Sequence, residues 1–363
     1  LRIPPLTTDT NNGLSAPRLV DISGDGRSDV VYAGDLKGNL WKFLINTEDP
    51  SQWGLAMWEG KAAGTPLFTA NRGTGHSANT NSSTRQSITA VPSVRVNDRT
   101  KKITDGDLEK TVFVGGMMVA FGTGRNITKL DQAEQQQQTL YSVLDNTRYE
   151  REMTGTAPNE KPTGRVKVCA TTGGACGKLV KTSADLPQAV AQSDLVQSTI
   201  PDAAAQTRDG RQFWKVNATT LNWSEKKGWF LDFPETRERL LKPMQFYDGS
   251  NLLAVSTQIP AKGSRLDPAV ESCEGGAVDK ERQFVTFINI MDGQAPRVPI
   301  IDGVSDLARY SMPPGALTMI VKDNRIHMRG RQPKPGGTGT DLVEEKMRRM
   351  PEMSLRPNWR QLK

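Results

Sequence analysis

Short apolar runs of four to eight residues recur along this chain, each closed by a turn built on Gly or Asp. They include "DVVYAGDLKGNLWKFLI" (29–45), "QSITAVPSVRV" (86–96), "KTVFVGGMMVAFGTG" (110–124) and "QTLYSVLD" (138–145). Further on come "GWFLDFP" (228–234), "RERLLKPMQFYDGSNLLAVSTQIP" (237–260), "QFVTFINIMDG" (283–293) and "GALTMIVKDN" (315–324). Turn signals such as "GDLKGN", "YDGSN" and "MDGQ" between such runs predict antiparallel meanders. Meanders repeating at about 40 residues predict an all-β fold of the β-propeller type, where radial repetition leaves only short sheet edges. A sandwich, the competing arrangement, closes in fewer strands. The runs supply four or five blades, so a modified propeller is expected, with a ring that this stretch need not complete.

Three segments break the pattern. Residues 70–85 form a polar loop without core residues. Residues 146–212 form a long insertion, within which "SADLPQAVAQSDLVQ" (183–197) is helix-capable, with Ser183 as a cap. Residues 330–340, "GRQPKPGGTGT", have the composition of a flexible linker. The formal net charge of +7 is concentrated in the last segment: Lys322–Lys363 holds eleven Lys or Arg against five Asp or Glu. The expected division is a propeller domain over 1–321 and a flexible basic tail over 322–363. A nearly neutral body gives no broad basic face for nucleic acid. No stretch approaches the ~20 apolar residues of a transmembrane helix. The start "LRIPPLTTDT" lacks Met and a signal core, which reads as a piece of a longer protein with any export signal upstream. Cys169 and Cys176 flank "ATTGGA" and could close as a disulfide in an oxidising compartment; Cys273 has no evident partner.

The stretch "VDISGDGRSDVVYAGDLKGNLWKF" (20–43) crowds acids where like charges repel, and a bound cation would relieve that repulsion. With Asp21 as position 1 of an EF-hand-like loop, Ser23 falls at 3, Asp25 at 5, Gly26 at 6, the Arg27 carbonyl at 7 and Asp29 at 9. Position 12, where an EF-hand carries its bidentate Glu, is Tyr32. The loop is therefore a shortened one, lying between strands, and the metal it suits is calcium, because a flexible set of oxygens fits the larger ion. Ser23 supplies a neutral hydroxyl where an acid is usual, so weak affinity is expected. Asp35 in "GDLKGN" reads instead as a cap on the amides of its own turn.

At this stretch the chain resembles the C-terminal domain of the type IV pilus tip-associated adhesin and biogenesis factors, the PilC/PilY family. The resemblance continues through "PLFTA…QSITAVPSV", "VAFGTGRNITKLD…QTLYSVLDN", "GWFLDFPETRERLL", "AVSTQIP…ESCEGGA…FINIMDGQAP" and the terminal "WRQL". It implies a modified propeller with one calcium loop, export to the outer surface or pilus tip, a part in pilus assembly and retraction, and attachment to surfaces or host cells. The implied partners are minor pilins and an unnamed surface ligand. The implied Ca²⁺ ligands are Asp21, Asp25, Asp29 and the Arg27 carbonyl, with Ser23 as the departure. The Arg-Gly-Asp motif of some members is absent here.

Catalytic chemistry finds little support. His76 and His327 are the two histidines, far apart, too few for a zinc site or a serine triad. "GTGR" (122–125) is too short to cradle a phosphate. The aromatic residues of "LWKF", "LYSV", "FWKV" and "GWFL" suit core positions. A quinoprotein-like oxidoreductase on the same architecture, and a purely structural pilus scaffold, are the alternatives to a non-enzymatic calcium-binding adhesin module.

Overall fold

The computed structural model describes residues 11–71, 84–128, 130–131, 134–169, 187–208, 211–261, 281–301, 306–312, 318–333 and 340–350. These residues are all β, with short 3-10 turns and no α-helix. The first sheet holds β1 (Arg18–Val20), β2 (Val30–Gly34), β3 (Asn39–Leu44) and β4 (Gly54–Leu55) in that order, with β5 (Phe68–Thr69) also on β3. Next along the chain are β6 (Ser93–Val96), the outlying hairpin β7 (Thr100–Asp105) and β8 (Leu108–Phe113), then β9 (Met117–Gly122) and β10 (Thr139–Asp145). A second outlying hairpin, β11 (Tyr149–Thr154) and β12 (Lys161–Val168), precedes β13 (Val196–Ser198), β14 (Gln206–Arg208), β15 (Arg211–Trp214) and β16 (Gly228–Asp232). The chain then runs through β17 (Gln245–Phe246), β18 (Leu252–Ile259), β19 (Arg282–Asn289), β20 (Arg309–Met312), β21 (Thr318–Lys322), β22 (Arg325–Pro333) and β23 (Thr340–Arg348). The second sheet has the order β13-β16-β10-β9-β6, the third β14-β15-β20-β19-β18-β17, and the fourth β21-β22-β23.

These sheets stack as blades because their strands are apolar on both sides. In β10, "TLYSVLD", Leu140 and Leu144 join one core while Tyr141 and Val143 join another. The same alternation sends Met118 and Ala120 of β9, and Trp229 and Leu231 of β16, towards the third sheet. Val119, Phe121 and Phe230 point the other way, onto Val30, Tyr32 and Leu40 of the first sheet. Successive strand side chains point to opposite faces, so an unbroken apolar run marks a strand covered on both. Each fully buried Leu, Phe or Met contributes about 1.5–3 kcal/mol. A third core lies between the third and fourth sheets, with Phe213, Val285 and Phe287 against Ile326, Met328 and Met347. Gly228 opens β16 at φ +144°, and a Cβ there would sit 2.1 Å from the Ser142 carbonyl oxygen. Only glycine lets β16 approach β10 at that point.

The all-β propeller reading agrees with this architecture, and Trp41, Tyr141, Trp214 and Trp229 are buried as expected. Three expectations are corrected. In the helix-capable stretch, residues 183–186 lie outside the described residues. Its remainder is extended, with a 3-10 turn at Gln192–Asp194 leading into β13, which pairs with β16. Sheet pairing outweighs the weak helical propensity. The insertion is accordingly no separate appendage, since β13 and β14 complete the second and third sheets. The flexible tail expected from 322 is also shorter, because β22 and β23 form a nine-residue ladder across 325–348. The apolar residues Ile326, Met328 and Met347 are buried, which anchors that hairpin despite its charge. Part of the expected linker at 330–340 is likewise strand, up to Pro333.

Candidate functional site

The acidic loop joins β1 to β2 as a hairpin, with Val20 opposite Val30 and the Asp29 amide donating to the Val20 carbonyl at 2.9 Å. The predicted setting between strands is therefore observed. Gly24 and Gly26 take φ of +78° and +88°, a left-handed conformation that L side chains rarely adopt. They let the chain double back so that its amides point inward. Asp21 accepts from the Gly24 amide at 2.6 Å and the Gly26 amide at 2.8 Å, and from the Ser23 hydroxyl at 3.2 Å. Asp25 accepts from the Arg27 amide at 2.9 Å, and its other oxygen faces Gly164 of β12. Asp29 accepts from the amides of Ile22 and Ser23 at 2.7 and 3.0 Å.

Asp21, Ser23 and the loop amides are thus brought together, while Asp25 turns outward and Asp29 inward. Among the described residues no three acids, histidines or cysteines converge as a metal-holding group. The donor set is nonetheless all oxygen. Asp29 is only 4% exposed, and among the described residues no cation pairs with it. A buried carboxylate held by amides alone is costly unless a positive charge compensates it. In that respect the residues fit a hard divalent cation.

The Gly26 amide, aided by Gly24 and Ser23 and opposed by some desolvation, holds the Asp21 carboxyl below the usual carboxylate range. A depressed carboxyl steadies the folded loop above its unfolded value of about 3.9, and that contribution is lost as pH falls through the lower folded value. Hydrogen-exchange protection of the Gly24 and Gly26 amides should therefore fall on acidification below about pH 4. Protection that is constant across that range would remove Asp21 from the account.

Asp35 behaves as the sequence suggested. It is fully buried and accepts from the amides of Lys37 and Asn39 in its own turn at 2.9 and 2.8 Å, and from the Trp41 indole at 2.7 Å. His76 lies outside the described residues, as do Cys176 and Cys273. Cys169 is buried and disulfide-bonded. His327 is buried on β22 and contacts Glu344 of β23.

A polar cluster that sequence reasoning missed lies beside the loop. The Lys42 ammonium sits 2.6 Å from Asp145 and 2.7 Å from the Thr147 hydroxyl, and all three residues are buried. Tyr32 donates to the same carboxylate at 2.5 Å. The ammonium also lies 5.4 Å from the Trp58 ring and 5.3 Å from the Tyr149 ring. Burial above all, then the fields of Asp145 and Asp29, raises the Tyr149 phenol well above its ordinary value. Tyr149 thus lies in the fields of both Asp29, at the base of the acidic loop, and Asp145 of the buried ion pair. The partners are more than 100 residues apart, and the one hint was a lysine inside the apolar run "NLWKFL". The β11–β12 hairpin of the insertion closes the other side. Arg165 pairs with Glu48, which also lies 3.5 Å from Arg27, and the Asn46 amide donates to the Val166 carbonyl at 2.7 Å.

Comparison with known proteins adds lineage to this geometry. Residues 6–168 match the family model described as the PilY1 beta-propeller domain. A type IV pilus biogenesis factor PilY1 homolog of Xylella fastidiosa is 35% identical over 136 residues, covering 37% of this chain and 8% of that protein. The PilY1 of Pseudomonas aeruginosa PAO1 is 30% identical over 245 residues, covering 62% of this chain and 17% of its own length. The chain therefore spans less than a fifth of these curated relatives. The crystal structure of the P. aeruginosa PilY1 C-terminal domain superposes with a TM-score of 0.60 at 19% identity, covering 95% of this chain and 62% of that one, and supports the fold alone. A propeller family model over residues 6–168 and curated relatives aligned along the chain support a PilY1-family type IV pilus factor, and the shared architecture agrees in fold.

Proposed function

We propose that this chain is a calcium-binding propeller module of a type IV pilus biogenesis factor, displayed at the pilus tip or outer surface. There it acts in pilus assembly and retraction and in attachment to surfaces or host cells, with minor pilins as partners. The curated relatives are named as biogenesis factors, and the module is read as non-enzymatic for that reason. The observation that carries the calcium reading is Asp29, a buried carboxylate without a cationic partner among the described residues, at the base of a loop of oxygen donors. Asp21, Asp25, Asp29, the Ser23 hydroxyl and the Arg27 carbonyl would hold the ion. Since Asp21 and Asp25 are engaged with loop amides, binding would exchange some of those hydrogen bonds for metal contacts, which agrees with weak affinity. The ion would cancel repulsion among the three acids and set the surface shared with the β11–β12 hairpin.

Calorimetric titration tests this directly. The chain is expected to take up calcium, and Asp29→Ala to lose that uptake while keeping its thermal transition. Equal uptake by Asp29→Ala would remove the loop from the function. Retention of minor pilins on the immobilised chain, compared with and without calcium, then tests the proposed partnership. Retention that is indifferent to calcium would leave the ion as a structural staple.

A further inference from the structure

A second polar site lies away from the acidic loop, where the β2–β3 turn meets the segment between β9 and β10. It is a cavity of about 300 Å³ with Leu36 as the single apolar residue among eleven lining it. Four cationic side chains, Lys37, Arg85, Arg125 and Arg239, face two acids, Asp131 and Glu134. The acids are largely spoken for. Asp131 pairs with Arg125 at 2.7 Å and accepts from the amides of Ile127 and Thr128, and Glu134 accepts from the Gln136 amide. Arg239 is almost wholly buried and donates to four carbonyl oxygens, those of Arg125, Asp131, Glu134 and Arg237, at 2.6 to 3.0 Å. Its hydrogen bonds are met but its charge is not neutralised by a carboxylate contact. A cleft lined mainly by one sign of charge concentrates ions of the other.

Two unmet atoms say what such an ion should carry. The Arg85 Nε is buried without a hydrogen-bond partner, and among the described residues no carboxylate pairs with Arg85. Gln138 is 5% exposed, and its Nε2 donates to the Gln136 carbonyl, which leaves Oε1 as a buried acceptor with no donor. Buried polar groups in native proteins are almost always satisfied, by protein, water or ligand. One unmet donor on a cation and one unmet acceptor on an amide match a ligand with both an anionic oxygen and a hydroxyl. The near absence of apolar lining excludes a greasy ligand, and the volume is at the small end of ligand sites.

From this cavity we infer that the chain binds a small hydroxylated carboxylate of the sugar-acid class, its carboxylate on Arg85 and a hydroxyl on Gln138. The site is independent of calcium. Titration of the full chain with glucuronate, glucose and inorganic phosphate tests it, with Arg85→Gln and Gln138→Leu as variants. Thermal unfolding is recorded for each variant, and two substitutions guard against one failing to fold. Glucuronate is expected to bind and glucose not to. Arg85→Gln should weaken glucuronate by about tenfold or more, the effect of losing a charge-assisted hydrogen bond, and Gln138→Leu by about fivefold, that of losing a neutral one. Absence of glucuronate binding, wild-type affinity in either folded variant, or equal affinity for phosphate or glucose would overturn the assignment.

Discussion

Lys42→Met is expected to cost about 3–5 kcal/mol of stability, because it strands the Asp145 carboxylate in a core closed to water. The side chains are similar in length, so little packing is lost and the effect is electrostatic. Lys42 and Asp145 have side-chain exposures of 0% and 2%, so solvent screening does not reduce the figure. Burial would raise the Asp145 carboxyl. The Lys42 ammonium and the donors of Thr147 and Tyr32 outweigh it and hold the carboxyl below the ordinary value. At Lys42 itself burial acts first and lowers the ammonium, with Asp145 opposing. Three donors converge on that carboxylate. Its contribution to stability is present above the unfolded carboxyl value and is lost as pH falls through the lower folded one. In Lys42→Met the urea midpoint should drop sharply. Adding Asp145→Asn should recover part of the loss, because removing both charges costs less than removing one. A single variant as stable as the wild type would show that the pair is open to water.

Arg309→Met should be comparably damaging in the third blade. Arg309 forms a two-pronged pair with Glu238, at 2.8 and 2.9 Å, and both side chains are fully buried. Thr257 donates to the same carboxylate, and the guanidinium lies 4.2 Å from the Phe284 ring and 5.4 Å from that of Trp214. Methionine would keep some contact with the rings but leave Glu238 without its counter-charge, at a cost of about 3–5 kcal/mol. Arg309→Lys should also be destabilising, since an ammonium cannot reproduce two parallel N–H bonds. Denaturant unfolding of the two variants separates charge from geometry. If lysine restores wild-type stability, charge alone is what that site requires.

The two ion pairs join different sheets, so their substitutions should act independently, whereas Glu238 adjoins Arg239 of the polar cavity. Sites well apart and without shared partners usually add. The acidic loop and the Lys42 cluster are a further exception, because Tyr149 lies in the field of both Asp29 and Asp145. Removing Lys42 therefore alters the electrostatic surroundings of the loop as well as the contact between the first two sheets.

Much of this architecture could be read from local pattern. Strand side chains alternate with a period of two, so the runs holding "VVYAG" and "TLYSVLD" announced strands, and Gly and Asp announced the turns. The acidic loop was legible for the same reason, since its carboxylates, serine and glycines lie within nine residues and bond chiefly to one another. Asp35 was legible too, as a residue that caps its own turn. Contacts that depend on chain closure were not. Lys42 meets Asp145, Glu238 meets Arg309, and Gln138 lines a cavity with Leu36 only once the sheets face one another. Nor could periodicity assign β13 to the second blade, or show that 325–348 fold back as a hairpin on the third. A segment's own residues set its conformation where the decisive contacts are local; where they cross the stack, burial against a distant sheet overrides local preference.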